Sequence, residues 1–169
     1  RGALPSSACV PSRPRHEQRR LCSSVDELHW TGLSQAELTR TARHLGSVAT
    51  PGLAILLAGP MGAGKTTWTR AFAEGLGVNR PDRVRSPTFN ICLVHGGPIP
   101  LFHIDLFRLG GFEGEGASPA FEALGLDDIL EQLEDGPRAS DRQGAVAVIE
   151  WADLIWPPGS GGFEGAHLW

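Results

Sequence analysis

The stretch 53–67, "LAILLAGPMGAGKTT", constrains this chain more than any other: an apolar run, a glycine loop and a lysine followed by two threonines. The run 53–58 lies between Pro-Gly and Gly-Pro, which predicts a strand covered on both faces and central in its sheet. Residues 59–66, "GPMGAGKT", satisfy G-x-x-x-x-G-K-[ST], the phosphate-binding loop. Beyond it Trp68, Ala71, Phe72 and Leu76 recur at helical spacing until Gly77 ends the pattern. In that order, the glycines Gly59, Gly62 and Gly64 let loop amides turn inward, and the positive end of the following helix meets the same polyphosphate. Lys65 is the only lysine beside fourteen arginines. A compact ammonium reaches between phosphates from a tight loop, where a planar guanidinium fork fits poorly. Lys65 is therefore expected at the β- and γ-phosphates of ATP or GTP, and the Thr66 hydroxyl at Mg²⁺.

The remaining pattern alternates helices and strands. Ser34 and Glu37 form a capping box, and Leu38, Ala42 and Leu45 make one apolar stripe, predicting a helix over 35–48. "TFNICLV" (88–94) and "LFHIDLF" (101–107) read as strands whose short turn predicts antiparallel pairing. Residues 109–137 hold eight acids and no base, with apolar spacing that predicts two short helices. "AVAVIEW" (145–151) reads as another buried strand ending in an acid, and "ADLIW" as a turn or helix start. The expected fold is α/β: a P-loop NTPase-like three-layer sandwich with a mixed, mainly parallel sheet. A tail or leader is expected over 1–24, the P-loop domain over 25–156, and a Gly/Pro-rich irregular end over 157–169.

A phosphate loop hydrolyses nothing alone; a metal-binding carboxylate at a neighbouring strand end is also needed. Glu150, closing "AVAVI", is the best candidate, against a plain strand-end acid facing solvent. Asp105, inside an apolar strand, either faces solvent from an edge or meets a cation or donor as a water-positioning or metal-shell acid. Thr88 in "RSPTF" belongs either to an ordinary turn or to a switch loop facing the γ-phosphate. Trp151 is core or a nucleotide or partner contact, and Arg80, Arg83 and Arg85 are solvated or meet phosphate. His44, His95 and His103 lack metal-ligand spacing and read as solvated or locally hydrogen-bonded.

Charge and cysteine usage narrow the function classes. The net charge is −4, and five arginines against one acid in residues 1–20 leave the body more acidic still. An acidic body is unsuited to gripping nucleic acid phosphates, so DNA is not an expected partner and any RNA is expected through another protein. Three widely spaced cysteines without CxxC pairing indicate neither a disulfide framework nor zinc and fit a reducing, cytoplasmic setting. No apolar run approaches the ~18 residues of a membrane span.

Taken together, "GPMGAGKTTW", "SPTFNI", "HIDLFRL", "EALGLDDIL" and "VIEWADL", in this order, resemble the bacterial TsaE (YjeE) family of small P-loop ATPases over about residues 31–156. The resemblance implies an ATPase that works with TsaD and TsaB in making threonylcarbamoyladenosine in tRNA, without itself transferring the threonylcarbamoyl group. It implies nucleotide phosphates on Gly62, Ala63, Gly64, Lys65, Thr66 and Thr67, magnesium on Thr66 and Glu150, and functional roles for Thr88, Asp105 and Trp151. It places Thr39 of the first helix near adenine. Phe89 and Phe107 stand where the family usually has Tyr, which keeps the ring and loses a hydroxyl. The family commonly continues with further strands after the "EW" segment, whereas this sequence turns Gly-rich and is expected to diverge there. No arginine finger is evident beyond Arg108, so low turnover by the isolated protein is expected. The competing classes are a small-molecule or nucleoside kinase, which the base-free stretch 109–137 disfavours as a lid, and a nucleotide-binding module without hydrolysis.

Overall fold

The computed structural model describes residues 32–110, 125–126, 128–129, 133 and 144–155. The tail expected over 1–24, the irregular end expected over 157–169 and most of the acidic helices expected between 109 and 137 lie outside these residues.

Helix α1 (Gln35–Val48) starts at the capping box: the Glu37 amide donates to Ser34 Oγ at 3.3 Å, and the Ser34 amide to Glu37 Oε2 at 2.9 Å. Two of the orphan amides that every helix start leaves are thereby satisfied. Strand β1 (Ala54–Leu57) leads into the glycine loop, and helix α2 (Lys65–Leu76) leaves it, ending at Gly77. Strands β2 (Cys92–His95) and β3 (Leu101–Asp105) form the expected antiparallel pair, and β4 (Val146–Glu150) follows.

The sheet order is β1-β4-β3-β2, with β4 parallel to both β1 and β3. The parallel part and the antiparallel β2 make the sheet mixed and mainly parallel. Among the described residues β1 stands at one end of that order, so the expectation of a central position is corrected: β4 and β3 are central. Its continuous apolar sequence reflects cover on both faces, which an outer strand under two layers also has. A second correction concerns 88–91, expected as strand. Thr88–Ile91 is a turn, with the Asn90 and Ile91 amides both donating to the Pro87 carbonyl at 2.8 and 2.7 Å. The proline that stiffens this segment also closes its turn.

Period-two alternation divides the core. On one face Ile55, Leu57, Leu101, Val146 and Val148 meet Trp68, Phe72 and Leu76 of α2 and Ala42 of α1. On the other, Leu56, Phe102, Ile104, Ala147 and Ile149 meet Leu106, Leu109, Leu126 and Leu133. Each fully buried side chain such as Phe72 or Leu56 contributes roughly 1.5–3 kcal/mol of transfer free energy. The helices α1 and α2 cross at a pair of glycines: Gly46 lies under the Phe72 carbonyl and Gly75 under that of Arg43. Among the described residues no helix is long and apolar enough to cross a membrane.

Candidate functional site

Register sets the site. Leu57, Glu150 and Asp105 are aligned at the carboxyl ends of β1, β4 and β3, where open α/β sheets place their ligand crevices. The glycine loop fills the step from β1 to α2. Gly59 (φ 130°) and Gly64 (φ 100°) hold backbone angles that side-chain-bearing residues rarely adopt, and this turns the loop back on itself before α2 begins. A cavity of about 380 Å³ opens here, lined by Met61, Gly62, Gly64, Lys65, Thr66, Thr67, Ser86, Thr88, Asp105, Phe107, Glu150 and Trp151.

Lys65 is only 9% exposed. Its ammonium donates to the carbonyls of Gly59 at 2.6 Å and Pro60 at 3.0 Å, and stands 3.4 Å from the Trp151 ring centroid. Desolvation lowers its pKa, opposed by the charges of Glu150, Asp153 and Asp105. A cation held this way, against carbonyls and a ring face, is placed to meet an anion in the same loop.

Glu150 reaches the cavity because odd-even alternation along β4 turns it toward α2. Thr66 Oγ1 donates to Glu150 Oε2 at 2.9 Å, and Glu150 Oε1 accepts from Thr69 Oγ1 at 3.2 Å and pairs with His103 Nε2 at 2.7 Å. Thr66 and Glu150 thus converge as a hydroxyl and a carboxylate oxygen at the loop's end. This donor set fits Mg²⁺, which takes one or two protein oxygens and completes its shell with phosphates and water. Among the described residues no group of three His, Cys, Asp or Glu side chains could hold a metal ion by itself.

Asp105 sits in an interior strand and is 1% exposed, so the edge-strand reading is set aside. Its Oδ2 accepts from Thr88 Oγ1 at 2.7 Å and from Ser86 Oγ, and its Oδ1 from the Phe107 amide at 2.9 Å. Its own amide donates to the Ile91 carbonyl at 2.8 Å. Asp105 therefore latches the 86–91 turn to the strand end. Ile91, in the latched turn, and Trp151, in the cavity wall, both hold φ of 62°. For a β-branched or bulky residue that conformation is a genuine outlier, and strain of this kind clusters at functional sites. At Trp151 it brings the indole over Lys65 and against Phe107, ring centroids 5.0 Å apart.

Other expected residues divide as follows. Gly62, Gly64, Lys65, Thr66, Thr67, Thr88, Asp105, Glu150 and Trp151 share the cavity. Gly59 contributes through its carbonyl, and Ala63 shapes the loop by donating from its amide to the Pro60 carbonyl at 3.2 Å. Thr39 does not line the cavity; its hydroxyl donates within α1, to the Gln35 and Ala36 carbonyls at 3.0 and 3.1 Å. Arg108 donates to the Phe89 carbonyl at 3.4 Å, and Arg80 pairs with Asp82. Sequence reasoning missed Ser86, Thr69 and His103. The available signals were parity with Asp105 along β3 for His103, and the one-turn spacing from Thr66 for Thr69.

The family model described as "Threonylcarbamoyl adenosine biosynthesis protein TsaE" matches residues 33–160. Relatives described as tRNA threonylcarbamoyladenosine biosynthesis protein TsaE include that of Bacillus subtilis, 38% identical over 78% of this chain and 70% of the relative. That of Streptomyces coelicolor is 40% identical over 66% of this chain and 64% of the relative, and that of Nostoc 46% over 66% and 59%. The chain thus spans less than two thirds of the length of the latter two. The crystal structure of Bacillus subtilis YdiB is similar with a TM-score of 0.53 and 31% identity, covering 80% of this chain and 71% of that one.

Proposed function

Because the chain belongs to the TsaE family, we propose that it is the Mg²⁺-dependent, ATP-binding and ATP-hydrolysing component of the tRNA N6-threonylcarbamoyladenosine machinery, regulating a TsaD/TsaB complex. The observation that carries the nucleotide part is the convergence of Lys65, Thr66 and Glu150 at the end of a glycine loop, with Thr66 Oγ1 and Glu150 Oε2 2.9 Å apart.

The loop amides and the start of α2 bind the phosphates of ATP, and Lys65 adds the positive charge that they require. Thr66 and Glu150 would hold Mg²⁺, which when bound neutralises charge on the phosphates. Asp105 holds the 86–91 turn so that Thr88 faces the same cavity, where its hydroxyl orients the attacking water. Trp151 keeps solvent from the Lys65 side of the site. Arg108 is engaged with the Phe89 carbonyl, and among the described residues no arginine lines the cavity. Low intrinsic turnover follows, with transition-state charge stabilised only when TsaD and TsaB dock.

Phosphate release with and without TsaD and TsaB, for the protein and for Lys65→Ala, tests this reading. Release that rises with the partners and disappears in the variant is expected. Phosphorylation of a small acceptor without partners would overturn it in favour of a kinase, and ATP binding without hydrolysis under any condition in favour of a binding module.

A further inference from the structure

Glu150 must present one oxygen to the cavity while the rest of its carboxylate stays fixed in a dry interior. Its donors toward the sheet are unequal. Thr69 Oγ1 carries one proton and is offered two acceptors, the Lys65 carbonyl at 3.0 Å and Glu150 Oε1 at 3.2 Å. The nearer acceptor takes most of that proton. His103 Nε2 lies 2.7 Å from the same Oε1 and has no other partner among the described residues. A carboxylate oxygen offers only lone pairs, so Nε2 is the nitrogen that carries the proton.

His103 is 0% exposed on the central strand β3, two residues before Asp105 and on its face. Its Nδ1 is buried without a hydrogen-bond partner. The ring of His95 lies beside it, with centroids 5.9 Å apart and interplanar angle 38°. A buried imidazole with one nitrogen unsatisfied is costly, and an apolar side chain would suit the core better. Among the described residues, the one side-chain hydrogen bond that His103 makes is the one that fixes Glu150.

We propose that His103 is the positioning residue for the magnesium-binding carboxylate: by donating to Glu150 Oε1 it leaves Oε2 aimed at Thr66 and the cavity. This rests on the reading of Glu150 and Thr66 as the Mg²⁺ site. Partners of this kind commonly change metal affinity 10–100-fold when removed.

The test is calorimetric binding of ATP to the full chain as Mg²⁺ is raised from zero, for wild type, His103→Leu and His103→Gln. Gln can place its amide nitrogen near the position of Nε2, whereas Leu has no donor. The Mg²⁺ concentration giving half-maximal ATP affinity is expected to rise about 10–100-fold in His103→Leu and to return to within about threefold of wild type in His103→Gln. Affinity for ATP in EDTA is expected to be the same in all three. An unchanged Mg²⁺ requirement in His103→Leu, or equal shifts in both variants, overturns the positioning role and leaves the Mg²⁺ site standing. A wild type indifferent to Mg²⁺ overturns the site itself and this proposal with it. Should His103→Leu fail to fold, His103→Asn, whose amide is too short to reach Glu150, replaces it in the same comparison.

Discussion

Replacing Gly46 with alanine should destabilise this protein, although by helix propensity alone it should do the reverse. Alanine is favoured over glycine inside a helix by about 0.8–1.0 kcal/mol. Gly46 lies two residues before the end of α1, and Gly75 one residue before the end of α2. A Cβ on Gly46 would stand 2.2 Å from the Phe72 carbonyl oxygen, and one on Gly75 2.0 Å from that of Arg43, where ordinary contact begins at 3.4 Å. Both obstacles are helix backbone, which cannot turn aside as a side chain end can. The helices must part by about 1 Å, a gap that forfeits a quarter to a half of the dispersion energy across it. The seam includes Ala42, Phe72 and Leu76, all buried. Overpacking of this kind typically costs about 1–3 kcal/mol, and less the propensity gain Gly46→Ala should lose about 1 kcal/mol net and lower Tm by roughly 2–4 °C. Urea denaturation read by circular dichroism measures it, with Ser47→Ala, exposed on the same helix, expected within about 0.5 kcal/mol of wild type. The double variant Gly46→Ala/Gly75→Ala should lose less than the sum, since helices already parted accept the second methyl more easily. A Gly46→Ala protein as stable as wild type or more so would refute the close crossing.

Lys65→Arg should lose ATP binding nearly as fully as Lys65→Ala in calorimetry, because the ammonium sits between the Gly59 and Pro60 carbonyls in a space that the guanidinium fork does not fit. Asp105→Ala should release Ser86, Thr88 and the Phe107 amide together, so proteolysis within 86–91 should quicken well before the core unfolds; equal rates in variant and wild type would contradict the latch. Burial pushes the Cys92 thiol up to about 11 from an ordinary 9.0, so in a Cys9→Ser/Cys22→Ser background its alkylation at pH 8 should run about 100-fold slower than that of a free thiol, with mass spectrometry as the readout. Ser34→Ala should cost about 1 kcal/mol at neutral pH. Ser34 holds the Glu37 carboxyl below its usual pKa, so that share of stability is present above the usual carboxylate range and lost as pH falls through the lowered value. The deficit of Ser34→Ala in urea denaturation should therefore narrow toward acid pH.

Much of this architecture is local, and local features were legible. The capping box at Ser34 and Glu37, the limits of α1 at 35–48, the end of α2 at Gly77 and the antiparallel pairing of β2 with β3 all depend on neighbours within a few residues. So does the glycine loop, whose amides and lysine belong to one continuous segment. The turn at 88–91 was misread because its apolar residues resemble a strand. Only the two amides gathered on the Pro87 carbonyl, together with the positive φ at Ile91, stop the chain from extending there.

What the sequence by itself determined is the phosphate loop, the succession of helices and strands, and the identity of the acids at the strand ends, since hydrophobic period and loop chemistry are written in adjacent residues. Tertiary structure alone decided which strands became neighbours. It set β4 between β1 and β3, and so put Glu150 beside Asp105 and over Thr66, 84 residues away along the chain. The same packing turned His103 from an isolated imidazole into the partner of Glu150, and made Gly46 and Gly75 necessary where one helix backbone meets another. Contacts across long separations depend on the register of whole elements, and no short window of sequence contains that register.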